Sequence, residues 1–264
     1  MIDRMGKRRR RSSRDSFWTQ QYGGMPGWAL VASFAVVVVL GTIAVGGMLR
    51  DDAATPSAAS TLRPLPSVEA TQEVAQRTAI AVVGDSFTGG SGMDTGRAAR
   101  WTALVDDEFS ISTYHEGGTG YAATLETADG PSNFVTRVES MPSEGIDKLV
   151  FFGSINDGNE GYDATLSAAT TALTEAKAKW PNADILVIGP ASPRWPVPSD
   201  FEAARDATRD AAAAASLDFV DPIDLGWFEN TDGLIGSDNT HPNDEGHAYL
   251  ADQLRPVLEE HFVG

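Results

Sequence analysis

The chain has 264 residues, a formal net charge of −17 and no cysteine, and its length suits one medium-sized domain with additional segments. The absence of cysteine excludes a disulfide framework, a cysteine-based zinc site and a thiol nucleophile. Residues 1–50 carry a net charge of +6, whereas residues 76–264 carry −20. This acidic body argues against nucleic acid as a partner, because phosphate contacts draw on Lys and Arg.

The N-terminal region predicts a membrane anchor. Residues 27–48 are uncharged and mostly apolar, and about 20 such residues cross the hydrocarbon of a bilayer. The basic cluster before them should stay in the cytoplasm, which places the C-terminal body outside the cytoplasmic membrane. A buried core helix and a cleaved signal peptide, which would leave the protein secreted, are the alternatives.

The composition divides the chain into four predicted parts. A linker rich in Ala, Ser, Thr and Pro should be extended and flexible, and it joins the anchor to a folded body. The parts are a cytoplasmic basic N-terminus (1–26), a transmembrane signal anchor (27–49), a flexible linker (50–75) and a folded domain (76–264).

The body alternates short β-rich runs with helical patterns. The runs lie at residues 78–84, 110–114, 148–153, 184–189 and 217–221. Apolar periodicity predicts helices over about 97–108, 132–140, 163–179, 200–216 and 244–261, the last of them capped by Asn243. Strands that alternate with helices predict a parallel sheet covered on both faces. We therefore expect an α/β fold of three layers, α/β/α, with a five-stranded, flavodoxin-like parallel sheet, preceded by one transmembrane helix.

Polar residues follow the predicted strands and precede the last helix. Each motif alone is typical of an ordinary turn, but together they supply the groups of a serine hydrolase. Ser86 is the candidate nucleophile, which needs an adjacent base to take its proton. His241 is the candidate base, and Asp238, three residues earlier, can hold its Nδ1–H. Since the base must be neutral, kcat/KM should rise through the ionisation of a histidine.

Three donors are predicted to form an oxyanion hole. They are the backbone N–H groups of Ser86 and Gly120 and the side-chain amide of Asn156. If the strand order is 2-1-3-4-5, the switch point of the sheet lies between the first and third strands, which Ser86 and Asn156 follow.

Neither a metal site nor a nucleotide site is predicted. His115, His247 and His261 lack neighbouring ligands at metal-binding spacing. The Gly-rich segment after Ser86 lacks the Lys-Ser/Thr of a phosphate-binding loop, and no G-x-S-x-G elbow occurs in the sequence.

The body, from about residue 79 onward, resembles the SGNH/GDSL hydrolase family of esterases and lipases. Four blocks in order carry this resemblance: GDSF with Ser86, GGTG with Gly120, GSIND with Asn156, and DNTHPN with Asp238 and His241. The resemblance implies a three-layer α/β/α domain that hydrolyses carboxylic esters through an acyl-enzyme without a cofactor.

Two features depart from the family pattern. Two residues separate Gly153 from Asn156, where the family usually has one, and no Asn shortly precedes the second-block glycine. The second departure leaves Gly117 and Gly118 as alternatives to Gly120.

The predicted function is that of a serine esterase outside the cytoplasm. Its substrate would be a small-molecule ester, a lipid ester or an acylated glycan, and the N-terminal helix would hold it at the membrane. An O-acyltransferase with the same three residues and a non-catalytic glycan-binding module are the alternatives. Trp195 and Trp227 would stack on a sugar ring, line an acyl pocket or serve ordinary packing.

Overall fold

The computed structural model describes residues 21–22, 25–26, 77–230 and 232–264. The chain divides into two units, Met1–Thr71 and Gln72–Gly264. In the first unit, Gln21–Tyr22 pairs antiparallel with Met25–Pro26. The predicted transmembrane anchor and linker lie outside the described residues. Within the described residues, no helix is both long and apolar enough to cross a membrane.

Five short strands form the central sheet of the second unit. They are β1 (Thr78–Gly84), β2 (Phe109–His115), β3 (Lys148–Phe152), β4 (Asp184–Ile188) and β5 (Asp218–Val220). Every neighbouring pair is parallel, and the order is β2-β1-β3-β4-β5. The structure thus confirms the predicted α/β fold with a five-stranded parallel sheet. The switch point of this order lies at the carboxyl ends of β1 and β3.

Six helices, two 3₁₀ turns and a short hairpin complete the described part of the unit. The helices are α1 (Ser86–Gly89), α2 (Trp101–Leu104), α3 (Phe134–Ser140), α4 (Tyr162–Lys179), α5 (Ser199–Ala214) and α6 (Asp244–Phe262). The 3₁₀ turns are Arg97–Ala99 and Ile155–Asn159, and the hairpin pairs Leu125–Thr127 with Gly130–Ser132.

Alternate strand residues face two separate cores, because successive side chains of a strand point to opposite sides. Val82 belongs to the core that includes α2 and α6, and Val83 to the core that includes α3, α4 and α5. On α6, Leu250, Leu254 and Leu258 are completely buried, and each contributes about 1.5–3 kcal/mol relative to an exposed position. These leucines hold α6, and therefore the loop that precedes it, against the sheet.

The helix predicted over 97–108 is broken in the structure. Arg100 has extended backbone angles and separates the 3₁₀ turn Arg97–Ala99 from α2. Three carboxylates at residues 106–108 follow α2 directly, and negative charge at a helix C-terminus opposes the helix dipole. The apolar spacing of this segment therefore reflects packing of Trp101 and Val105 rather than a continuous helix.

Candidate active site

The turn after β1 presents Ser86 at the first position of α1. Asp85 caps this helix, because its Oδ1 accepts a hydrogen bond from the Phe87 N–H at 2.8 Å. A Cβ at Gly84 would lie 2.0 Å from Thr88 Oγ1, so the close approach of α1 to β1 requires glycine. Ser86 is 3% exposed, and its hydroxyl is therefore largely shielded from bulk water.

His241 connects Ser86 to Asp238 through two hydrogen bonds. Its Nε2 lies 3.0 Å from Ser86 Oγ, and its Nδ1 lies 2.7 Å from Asp238 Oδ2. Because an ionised carboxylate only accepts hydrogen bonds, Nδ1 carries the proton in the neutral imidazole. The lone pair of Nε2 then faces the Ser86 hydroxyl, which is the arrangement a base needs.

The loop before α6 holds the Asp238 carboxylate in place. Asp238 Oδ1 accepts hydrogen bonds from the N–H groups of Thr240 and His241, each at 2.9 Å. The hydrogen bond from the His241 N–H, followed by that from its imidazole, lowers the pKa of Asp238 to about 2. Asp238 is consequently ionised throughout the neutral pH range.

The segment of residues 90–96 packs against His241 and is fastened to α6. The Asp244 carboxylate accepts hydrogen bonds from the Asp94 N–H at 3.0 Å and from the Thr95 N–H at 3.1 Å. A Cβ at Gly92, where φ is +79°, would lie 2.6 Å from His241 Cβ. The first turn of α6 therefore fixes the segment that packs beside His241.

The structure distinguishes Gly117 from Gly120 as candidates for the oxyanion glycine. The Gly120 N–H donates to the Ala123 carbonyl at 2.9 Å, so it is not directed at a ligand. A Cβ at Gly117 would lie 3.6 Å from Ser86 Cβ, which places Gly117 beside the candidate nucleophile. Among the described residues, the Gly117 N–H donates to no backbone carbonyl. The geometry therefore favours Gly117 over Gly120 as the backbone donor.

Asn156 has an amide hydrogen available for a ligand. One hydrogen of its side-chain amide is donated to the Thr119 carbonyl at 2.9 Å, and the amide carries two. Asn156 belongs to the 3₁₀ turn Ile155–Asn159, which follows β3 at the switch point of the sheet.

Gly120 serves packing, and its substitution should therefore lower stability. A Cβ at this position would lie 2.4 Å from both carboxylate oxygens of Asp157. We expect Gly120→Ala to reduce the free energy of unfolding by about 1–3 kcal/mol, which thermal denaturation would record as a fall in Tm of about 2–4 °C per kcal/mol. Gly117→Ala is the control, because its Cβ would meet only ordinary contacts. Equal Tm values for the two variants would contradict this account.

Two buried charged side chains brace the loop after β2. The Asp157 carboxylate accepts hydrogen bonds from the N–H groups of residues 121–123 at 2.8–2.9 Å. Arg137 donates to the Gly84 carbonyl at 2.7 Å and to the Thr119 hydroxyl. The role of Arg137 was not predicted, although its position within the apolar pattern of α3 was a usable signal.

Burial raises the pKa of Asp85 to about 6, against smaller lowering effects of hydrogen bonds from Ser154 and Phe87. The folded protein therefore binds more protons than the unfolded chain between about pH 4 and 6, and its stability falls as pH rises through that window. The shift of about two units in the pKa of Asp85 corresponds to about 3 kcal/mol in the free energy of unfolding.

Asp85→Asn should remove this pH-dependent loss of stability. The carboxamide can still accept from Phe87 and donate to Ser154, but it cannot ionise. We expect urea unfolding to give the variant a stability advantage at pH 7.5 that shrinks by about 2–3 kcal/mol at pH 4.5. Asp129→Asn, at an exposed turn, controls for the loss of one charge. A stability advantage of Asp85→Asn that does not change with pH would refute the raised pKa of Asp85.

Other contacts account for His247, His261 and Trp227. His247 is completely buried on α6, and its Nδ1 accepts from the Trp101 N–H at 3.4 Å. His261 Nε2 lies 3.0 Å from Asp184 Oδ1 at the start of β4. In the part of the chain that the structure describes, no group of three His, Cys, Asp or Glu could hold a metal ion. Trp227 is 2% exposed, so it packs in the core and offers no face to a sugar ring.

Comparison with known proteins gives consistent matches. A family model described as the GDSL-like Lipase/Acylhydrolase family matches residues 82–249. The GDSL lipase Rv0518 of Mycobacterium tuberculosis is 35% identical over 195 residues, which cover 70% of this chain and 83% of that protein.

Solved structures share the fold at low sequence identity. TesA superposes with a TM-score of 0.54 at 20% identity, covering 70% of this chain and 100% of TesA. The psychrotrophic esterase EstA from Pseudoalteromonas sp. superposes with a TM-score of 0.53 at 14% identity, covering 71% of this chain and 100% of EstA. At these identities the two structures show likeness of fold alone.

Proposed function

The chain belongs to the GDSL-like Lipase/Acylhydrolase family and is a serine hydrolase that acts on ester bonds; on that premise we propose that it hydrolyses carboxylic esters through an acyl-enzyme on Ser86. The observation that carries this proposal is the unbroken hydrogen-bond chain from Ser86 Oγ through His241 to Asp238. A hydroxyl, an imidazole and a carboxylate in this order form the machinery of nucleophilic acyl transfer.

In the first half of the reaction, Ser86 Oγ attacks the ester carbonyl carbon while its proton passes to His241 Nε2. Asp238 stabilises the imidazolium that forms, because its carboxylate is ionised and accepts from Nδ1. The imidazolium then gives this proton to the departing alkoxide, and the C–O bond of the ester breaks. The products are a free alcohol and an acyl group bound to Ser86.

In the second half, His241 takes a proton from water as the water oxygen attacks the acyl carbon. The bond between Ser86 Oγ and the acyl carbon then breaks, the imidazolium returns its proton to Oγ, and the carboxylic acid leaves. Both halves pass through a tetrahedral intermediate with a negative oxygen. We assign its stabilisation to the Ser86 N–H, the Gly117 N–H and the second amide hydrogen of Asn156. One such donor contributes about 10²–10³ in kcat.

The proposed site of action is outside the cytoplasmic membrane, on lipid or acylated-glycan esters. The uncharged apolar segment at residues 27–48, preceded by a basic cluster, supports an anchor with the body outside. Protease added to intact bacterial cells that express the full chain should digest the body, and the body should fractionate with membranes. A protected body in the cytosolic fraction would refute this location.

The catalytic proposal is tested with the full-length protein, p-nitrophenyl esters and a fluorophosphonate probe. We expect hydrolysis of the acetate, butyrate and octanoate esters, with a single label that peptide mapping assigns to Ser86. A preference for acetate would favour acetylated glycans, and a preference for octanoate would favour lipids. Labelling without hydrolysis, relieved by adding an acceptor alcohol, would identify an acyltransferase. A folded protein with neither activity nor label would identify a binding module.

A further inference from the structure

A buried serine that is absent from the reaction scheme lies behind the candidate nucleophile. Ser154 follows Gly153 in the GSIND segment and is completely buried. Its Oγ lies 2.6 Å from Asp85 Oδ2 and 3.0 Å from the Thr119 carbonyl oxygen. The same oxygen accepts a hydrogen bond from the Asn156 backbone N–H at 3.1 Å. One hydroxyl therefore contacts the residue before Ser86 and the residue proposed to bind the oxyanion.

The Thr119 carbonyl closes this arrangement into a ring of hydrogen bonds. It accepts from the Asn156 side-chain amide at 2.9 Å and lies within reach of the Ser154 hydroxyl. The Thr119 side chain is held in turn by Arg137. Asn156 is therefore fixed at two points, its backbone N–H by Ser154 and its side chain by Thr119.

The Ser154 hydroxyl has a single proton, so the hydrogen bonds of this ring depend on the protonation state of Asp85. When Asp85 is ionised, the hydroxyl donates to its carboxylate. When Asp85 takes a proton from solvent, its O–H can donate to Ser154 Oγ, and the Ser154 proton turns to the Thr119 carbonyl. That carbonyl then accepts two hydrogen bonds, one of them from Asn156.

We propose that Ser154 is a positioning residue that couples the Asp85 carboxyl group to the oxyanion-binding amide of Asn156. This inference rests on the proposed function, because positioning matters only if Asn156 binds the oxyanion. The charged groups around Asp85 are Arg137 on α3 and Asp157 in the 3₁₀ turn after β3. Arg137 also faces Glu116 after β2.

The decisive experiment is a double-mutant cycle on the full-length protein with p-nitrophenyl butyrate. Ser154→Ala should lower kcat by about tenfold or more, because a displaced donor weakens a transition-state interaction. KM should stay within about twofold, since ground-state binding does not use the oxyanion donor. In the Asn156→Ala background, Ser154→Ala should have almost no further effect on kcat, because residues that act through one another are not additive.

Two further variants separate positioning from general damage to the core. Thr208→Val removes another completely buried hydroxyl, which bonds only within α5, and it should leave kcat unchanged. Asp85→Asn keeps both the cap of α1 and a donor to Ser154 and should hold kcat within about threefold. Ser154→Cys, whose thiol is only a weak donor and acceptor, carries the cycle with Asn156→Ala if Ser154→Ala does not fold.

The double-mutant cycle shows whether Ser154 acts through Asn156. A loss of kcat that vanishes in the Asn156→Ala background supports the coupling. Independent, multiplicative losses, or a kcat for Ser154→Ala equal to that of Thr208→Val, overturn it and leave the esterase proposal intact. A wild-type protein that neither hydrolyses esters nor reacts with the fluorophosphonate overturns both.

Discussion

Ser86→Ala is expected to lower kcat for ester hydrolysis by about 10⁴–10⁶-fold and to abolish fluorophosphonate labelling. The substitution removes the only atom that would form the acyl-enzyme, and no change elsewhere in the site can replace it. The fold should persist, because the change deletes a single hydroxyl whose partner, His241, is still held by Asp238. Rate measurements with p-nitrophenyl butyrate and intact-mass analysis after labelling check this prediction.

Ser91→Ala is the matched control for that experiment. Ser91 lies five residues further along the same segment, and its Oγ is 3.8 Å from the Cβ position of Gly117. It therefore offers a second hydroxyl near the site, without the hydrogen bond that joins Ser86 to His241. The Ser91→Ala protein should still react with the fluorophosphonate, and its kcat should stay within about threefold of the wild-type value. A labelled Ser86→Ala protein would remove Ser86 from the nucleophile role.

Asp238→Asn should lower kcat by about 10⁴-fold while leaving the loop intact. Asp238 Oδ1 accepts from the N–H groups of Thr240 and His241, and only the oxygen of an asparagine side chain can keep those two bonds. The new NH₂ group must then face His241 Nδ1. The imidazole responds by carrying its proton on Nε2, where it points at Ser86 and cannot accept the nucleophile's proton.

Asp252→Asn is the matched control for Asp238→Asn. Asp252→Asn removes one exposed carboxylate from α6 without touching the loop, and its kcat should stay within about twofold. Circular dichroism should give the same spectrum for Asp238→Asn and the wild type. A folded Asp238→Asn protein that loses less than tenfold in kcat would refute the assigned role of Asp238.

Strand positions could be predicted closely from the sequence, and short helices could not. All five predicted strands agree with the sheet within one residue at each end. The three central strands are mostly buried, and buried parallel strands form apolar runs bounded by turn residues. The four-residue helix α1 escaped prediction, since it spans too few residues to show helical periodicity. Its presence depends on the Asp85 cap and on the close contact between Gly84 and Thr88.

The candidate site was predictable where side-chain chemistry identifies a residue. Ser86, His241 and Asp238 were singled out by residue type and strand-end position, and the structure brings them into one hydrogen-bonded chain. The choice of backbone donor stayed open among the three glycines between His115 and Tyr121, because all three suit a loop. The pairing of the Gly120 N–H with Ala123 and the position of Gly117 beside Ser86 favour Gly117, and neither main-chain feature can be seen in the sequence.

The separation of Ser86 and His241 along the chain gives the protein a built-in delay during synthesis. The two residues stand 155 positions apart, and ribosomes add about 5–20 residues per second. With Ser86 and His241 in their proposed roles, the nucleophile is thus made about 8–30 s before its base exists. A nascent chain would then be inert towards esters throughout that interval. Ester hydrolysis would require that the chain has been made and folded at least as far as the loop before α6.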